Sequence, residues 1–206
     1  MNKYPKIYYI SQGNDPETHL INIDKVCRSG CKLVQLRLKS SDHETILETA
    51  KKSLVICQKF STKLIINDYL GVVEQLPQVG LHLGKNDISI KVAKQRLGGT
   101  QIGGTANTLK DCIQLINEGV DYIGLGPYKN TTTKSNLEPI VGLAGYQDIL
   151  SKLQTLKMTT PIYAIGGIME KDIPKLLRLG ITGVAMSNLL TNKTENDTKN
   201  IISHYG

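Results

Sequence analysis

The sequence predicts a single-domain (β/α)8 TIM barrel, and three observations carry that expectation. Short β-prone runs alternate with segments of helical period eight times in 206 residues. The β runs are mostly four or five residues long, and nearly every one ends in glycine or polar residues. No Gly-x-Gly-x-x-Gly or Walker pattern follows the first run, which speaks against the main competitor, a doubly wound open sheet holding a nucleotide. With 40% hydrophobic residues the chain can bury a real core, so residues 1–206 are read as one domain.

Residues 6–10 are the expected first strand. Residues 19–29 follow as helix, because Leu20, Ile23, Val26 and Cys27 recur at helical spacing and Gly30 supplies a stop. The second strand, 32–38, organises the rest. Alternation puts Gln35, Arg37 and Lys39 on one face and Val34, Leu36 and Leu38 on the other. Two cations and an amide do not belong in a packed interior without partners, so the polar face points into the mouth of a closed sheet or, on an edge strand, to solvent. Residues 42–60 form the next helix, with Ile46, Leu47, Ala50, Leu54 and Cys57 on one side. Strand three, 63–66, runs straight into Asn67-Asp68, and 72–76 is a short helix.

The later units repeat the theme: strand 80–83 and helix 89–97, strand 101–103 and helix 108–118, then strand 121–125. The connection 126–143, with Thr131, Thr132, Thr133 and Lys134, exceeds the usual length for an α/β unit. It is expected to be a lid, mobile in the free protein, because Lys129, Asn130 and the threonines offer no apolar anchor. Helix 147–152, strand 161–165 ending at Gly166-Gly167, helix 171–179, strand 183–186 and a weak last helix in 191–204 complete the chain.

Barrels of this kind carry their chemistry at the C-terminal ends of the strands. The candidates are therefore Arg37 and Lys39, Asn67 and Asp68, His82 and Asp87, Thr105 and Asn107, the 131–134 segment, Gly166 and Gly167, and Ser187 and Asn188. The last two loops suit a phosphate, held by backbone N–H groups of a glycine-rich turn and a helix N-terminus. A second anion site is implied where Arg37 and Lys39 converge with Asp68 and Asp87. Taken singly each Asp reads equally well as a helix cap. Together they offer oxygen ligands with no cysteine nearby, a pair that suits Mg²⁺ bridging to a phosphate. Charge is consistent with this: a diphosphate ester brings about three negative charges, and Mg²⁺ with Arg37, Lys39 and Lys134 sets about five positive against the two carboxylates.

Composition narrows the partners. Lys and Arg outnumber Asp and Glu by 25 to 18, an excess that suits an anionic ligand, but the basic residues are scattered. One Phe, no Trp and no basic stretch interleaved with aromatics argue against nucleic acid. The cysteines at 27, 31, 57 and 112 lack metal-ligand spacing and are expected to be reduced and structural, Cys27 and Cys31 one helical turn apart. No apolar signal region opens the chain and no apolar run could span a bilayer, so the expectation is a cytoplasmic protein without membrane partners. Homo-oligomerisation is left open.

Six motifs occur in order on six of the strand ends: Gln-Leu-Arg-Leu-Lys at 35–39, Ile-Ile-Asn-Asp at 65–68, Gly-Leu-His-Leu-Gly-Lys-Asn-Asp at 80–87, Tyr-Ile-Gly-Leu-Gly-Pro at 122–127 with Thr-Thr-Thr-Lys at 131–134, Ala-Ile-Gly-Gly-Ile at 164–168 and Gly-Val-Ala-Met-Ser at 183–187. Over residues 6 to 190 the chain resembles the thiamine phosphate synthase family in this order and spacing. The resemblance implies a (β/α)8 barrel that joins 4-amino-2-methyl-5-hydroxymethylpyrimidine diphosphate to 4-methyl-5-hydroxyethylthiazole phosphate, releasing diphosphate with Mg²⁺. It implies that the pyrimidine diphosphate lies against the stretch Gln35, Leu36, Arg37, Leu38 and Lys39 together with Asn67, Thr105 and Lys134, with Mg²⁺ on Asp68 and Asp87. Arg37, Lys39 and Lys134 would act on the leaving group. Thiazole phosphate would lie against Thr131, Thr132, Thr133, Gly167, Met186 and Ser187. The chain departs from the family pattern at Thr105, where Ser is usual and the hydroxyl is kept, and at Asn107, where His is common. The strand-eight run is also one residue shorter before Ser187 than in many members. Two alternatives accompany this reading, a thiazole tautomerase-like isomerase and a noncatalytic barrel that binds thiamine precursors.

Overall fold

The computed structural model describes residues 4–39, 41–130 and 139–206. Among them eight parallel strands close into a barrel in sequence order: β1 Ile7–Ile10, β2 Leu33–Leu36, β3 Lys63–Asn67, β4 Gly80–Leu83, β5 Ile102–Ala106, β6 Tyr122–Leu125, β7 Ile162–Ile165 and β8 Gly183–Met186, which pairs back onto β1. The helices are α1 Pro16–Arg28, α2 His43–Lys59, α3 Leu70–Gln75, α4 Ile90–Leu97, α5 Leu109–Asn117, α6 Gly142–Thr155, α7 Ile173–Arg178, α8 Asn188–Thr191 and α9 Glu195–Tyr205. A 3₁₀ turn, Glu170–Asp172, leads into α7. No helix among the described residues is long and apolar enough to cross a membrane.

Local chemistry sets the element ends, and it moves several from where periodicity put them. α1 starts three residues before His19 because Asp15 accepts from Thr18 N and Pro16 occupies the first turn. β2 stops at Leu36 because the Arg37 N–H turns to Ser11 Oγ at 3.0 Å. β5 runs on to Ala106, with Thr105 and Ala106 opposite Gly124 and Leu125. Helix α6 begins at Gly142 rather than 147, which shortens the long connection from its far side. The tail makes two helices, α8 and α9, the latter capped by Thr194. All four cysteines are free and buried, but Cys31 lies beyond the end of α1 rather than on it.

Two apolar layers result from the period of two. Outward residues such as Val34, Leu36, Leu64, Ile66, Leu81 and Ile123 meet the helices' Ile23, Val26, Ile46 and Ala50. Inward, Tyr8, Ile10, Leu33, Ile65, Tyr122, Tyr163 and Ala185 fill the barrel. The three tyrosine rings pack edge to face with centroids 5.3 to 5.9 Å apart, each pair adding about 0.5–1.5 kcal/mol beyond burial. Their bulk requires a bare position opposite. At Gly103 an added Cβ would lie 2.1 Å from Tyr122 Cζ, inside the ring's own space.

Gly103→Ala is accordingly expected to destabilise the protein by about 2 kcal/mol or more in urea unfolding, because a buried ring must shift within a closed barrel. Gly99→Ala, where an added Cβ meets nothing within 4 Å, should change stability by less than about 0.5 kcal/mol.

Candidate active site

The floor of the mouth is a row of buried polar side chains on strand ends. Gln35 is 2% exposed and donates Nε2 to the Tyr8 hydroxyl at 2.6 Å. Tyr8 Oη meets Tyr122 Oη at 3.0 Å, Tyr122 meets His82 Nδ1 at 3.2 Å, and His82 Nε2 meets Thr105 Oγ1 at 3.0 Å. Gln35 and Thr105, both sequence candidates, thus share one network. Asn107 sits deeper than expected of a mouth residue, buried, with Nδ2 on Gly126 O at 2.5 Å.

On one side of this floor lie the charges. Asp68 takes a left-handed backbone conformation, φ 68°, and its N–H donates to His82 O at 2.8 Å, which turns its carboxyl toward Asp87. Burial, then the hydrogen bond and charge of Asp87, push the Asp68 carboxyl up to about 6, against the pull of the Arg37 guanidinium. Asp87 is itself oriented by Gly84 N, which donates to Oδ2 at 2.7 Å. Arg37 is half-buried; burial works against its charge and Asp68 supports it. Exposed Lys39 is lowered first by the Arg37 charge. Arg37, Lys39, Asn67, Asp68 and Asp87 therefore converge as expected. Leu36 and Leu38 do not join them: their side chains are 1% and 6% exposed in the outer core, on the far face of the strand, so no contact from those side chains can be made in the mouth.

Two carboxylates held this close destabilise each other unless a cation separates them, and oxygen pairs of this sort are what a hard divalent ion takes when waters and a ligand phosphate fill its remaining positions. Among the described residues no group of three or more His, Cys, Asp or Glu converges for a metal. The donor set fits Mg²⁺ that keeps several non-protein ligands rather than a caged ion.

On the other side a cavity of about 520 Å³ opens between the ends of β7 and β8, lined by Ile10, Gly166, Gly167, Met186, Ser187, Asn188 and, across the mouth, Arg37. The left-handed conformations of Gly166 (φ 95°) and Gly167 (φ 64°) bring this turn against the segment after β6: a Cβ on Gly167 would lie 2.6 Å from Asn130 O. Ser187 Oγ donates to Gln12 Oε1 at 3.2 Å. Arg37 was not expected on this side; the sequence separated the two anion sites, whereas in space one guanidinium borders both.

The segment after β6 is better anchored than its composition suggested. Tyr128 is buried against Tyr146, and Lys129 Nζ lies 2.7 Å from an Asp172 carboxylate that is nearly inaccessible. Tyr128 N and Lys129 N donate to Ile165 O and Gly166 O, and Val141 N to Pro127 O. Neither Asp172 nor this pairing was visible in the sequence, because Asp172 reads there as one more charge at a helix start. Thr131, Thr132, Thr133 and Lys134 lie outside the described residues.

A family model described as thiamine monophosphate synthase matches residues 7–190. The chain belongs to the thiamine monophosphate synthase family. The thiamine-phosphate synthase of Flavobacterium johnsoniae is 42% identical over 200 residues, covering 97% of this chain and 93% of that protein. That of Bacteroides thetaiotaomicron is 38% identical over 185 residues, covering 89% and 88%. In fold the chain is similar to a thiamine phosphate pyrophosphorylase from Pyrococcus furiosus, with a TM-score of 0.80 at 21% identity, covering 97% of this chain and 96% of that one. It is also similar to a 3-dehydroquinate dehydratase from Geobacillus kaustophilus, with a TM-score of 0.69 at 12% identity over 98% and 91% of the two chains. The barrel is thus shared with differently named enzymes, and membership of the synthase family comes from sequence.

The raised Asp68 carboxyl carries a stability consequence in the ligand-free protein. Its folded pKa lies above the unfolded value of 3.8, so ionisation costs the fold stability: nothing is lost below about pH 4 and the full cost is present above about pH 6. Asp68→Asn, which also accepts a left-handed backbone, should raise stability above pH 6 by on the order of 1 kcal/mol, with the gain vanishing as pH falls toward 4. Chemical denaturation of both proteins across that range checks it.

Proposed function

We propose that this chain condenses 4-amino-2-methyl-5-hydroxymethylpyrimidine diphosphate with 4-methyl-5-hydroxyethylthiazole phosphate, giving thiamine phosphate and diphosphate. It is a transferase of thiamine biosynthesis, acting as one barrel domain over residues 1–206 and, on our reading, in the cytoplasm. The observation that carries the proposal is 42% identity to a thiamine-phosphate synthase over 97% of the chain; the meeting of Arg37, Asp68 and Asp87 beside the Gln35–Thr105 network supports it.

The chemistry asked of the protein is modest. The carbon–oxygen bond to diphosphate breaks first, the electron-rich aminopyrimidine stabilises the methylene cation, and the thiazole nitrogen donates its lone pair to that carbon. No side-chain nucleophile is required. Gln35, Asn67 and Thr105 orient the pyrimidine, while Arg37 and Lys39, with Lys134 from the segment beyond the described residues, hold the departing diphosphate. Asp68 and Asp87 would hold Mg²⁺, which supplies charge neutralisation on the leaving group. Gly167, Met186 and Ser187 receive thiazole phosphate, with Thr131, Thr132 and Thr133, outside the described residues, proposed as further contacts to it. Arg37, bordering both pockets, is suited to hold the two anions at a fixed separation so that the rings meet in line.

The isomerase reading is less well supported. The named relatives carry the synthase name, and the Arg37, Lys39, Asp68 and Asp87 set that an isomerase of thiazole phosphate does not need is complete here.

Purified protein mixed with both substrates and Mg²⁺ is expected to yield thiamine phosphate, and EDTA to abolish it. Asp68→Asn and Asp87→Asn should each lower turnover by about 100-fold or more at limiting Mg²⁺ while the circular dichroism spectrum is retained. Near wild-type turnover in both variants would remove the metal assignment, and rapid isomerisation of thiazole phosphate with no coupled product would move the chain to the isomerase reading.

A further inference from the structure

The hydrogen-bonded row under the mouth joins five strands, β2, β1, β6, β4 and β5, and its sense of donation is the one that leaves no buried hydroxyl proton without an acceptor. The Gln35 amide nitrogen only donates, so the Tyr8 hydroxyl accepts from it, and among the described residues the one acceptor left within reach of the buried Tyr8 proton is the Tyr122 hydroxyl. Tyr122, having accepted, has one proton left for His82 Nδ1. A neutral imidazole that accepts at Nδ1 carries its proton at Nε2, and Nε2–H then donates to Thr105 Oγ1. The Thr105 hydroxyl keeps its own proton for another partner. Burial pushes the Tyr8 and Tyr122 phenols well above the ordinary tyrosine range, so both protons stay in place at any working pH.

We propose that His82 is a positioning residue for the coupling reaction: through this one-way row it holds the Thr105 hydroxyl as a hydrogen-bond donor toward the pyrimidine diphosphate. The identity of that ligand rests on the functional reading above; the row itself does not. The imidazole is confined as such a role requires. A Cβ on Gly124 would stand 3.3 Å from His82 Cε1, so the ring lies directly against the β6 backbone, and the Tyr122 ring flanks it with centroids 5.5 Å apart. The sense of donation matters because an aminopyrimidine ring presents nitrogen lone pairs. A hydroxyl with a free proton meets such an acceptor, whereas a reversed row would spend that proton on His82 and set lone pair against lone pair.

Two measurements test this. In the intact ligand-free protein, ¹⁵N shifts of the His82 imidazole, assigned against His82→Gln, are expected to report the neutral Nε2–H tautomer. An Nδ1–H or doubly protonated ring at neutral pH overturns the proposal. In coupling assays His82→Asn, whose amide stops short of Thr105, should lower kcat/KM for the pyrimidine diphosphate by about 10-fold and leave KM for thiazole phosphate unchanged. His82→Gln, whose Nε2 falls where the imidazole Nε2 lies, should recover most of that loss. On a Thr105→Val background His82→Asn should add nothing. Equal losses for Asn and Gln, or additive losses on the Thr105→Val background, overturn the positioning role while leaving the synthase reading intact. If the wild-type protein makes no thiamine phosphate, the substrate reading falls and the positioning role falls with it.

Discussion

Closing eight short strands into a ring allows each strand only two or three inward positions, and everything the protein does is divided among them. The lower positions must fill space and the upper ones must stay polar. Tyrosine meets both demands at Tyr8 and Tyr122, because each ring packs in the barrel while its hydroxyl reaches up to Gln35 or His82. Gly103 opposite Tyr122 is the complementary bare position. The site is therefore built on the core itself rather than on loops laid over it, which keeps Gln35 and Thr105 fixed before any ligand arrives.

Electrostatics imposes the opposite requirement at the charged side of the mouth. Asp68 and Asp87 are held together although each disfavours the other's charge, and Arg37 only partly offsets this. Such an arrangement does not serve the stability of the empty protein. It places negative charge where a divalent cation belongs and positive charge where an anion leaves, so the energy is recovered when both are bound. The same guanidinium borders the cavity of the double-glycine turn, which ties the two anion pockets together through one side chain.

Much of this was legible in the chain. The alternation at residues 34–39 identified the strand with a polar inner face, and Asn67-Asp68 immediately after a β run marked a mouth residue, because periodicity and turn chemistry are local signals. Element ends were less legible: Asp15, Ser11 and the pairing of Thr105 with Gly124 moved them by two or three residues, through single hydrogen bonds or caps that no window of hydrophobicity reports. The network from Gln35 to Thr105 joins residues far apart in sequence, and the Lys129–Asp172 ion pair spans 43 positions. Contacts of that range depend on barrel closure and leave no trace in spacing. Leu36 and Leu38 show the converse: motif membership grouped them with their neighbours, but alternation turned them into the outer core.

The polar row also bears on how the chain can fold. Its members come from β1, β2 and β4 in the first half of the barrel and from β5 and β6 in the second. A half-barrel of four strands would keep the Gln35–Tyr8 bond but leave the Tyr8 hydroxyl without Tyr122 and the His82 ring without Tyr122 and Thr105, a cost of about 1–3 kcal/mol for each group left buried and unsatisfied. Tyr163 and Tyr4 add ties of the same sort, to Pro5 O and to Asp121 O. Fragments are thus penalised and the closed ring favoured, so the barrel should assemble as one cooperative unit rather than as two separable modules.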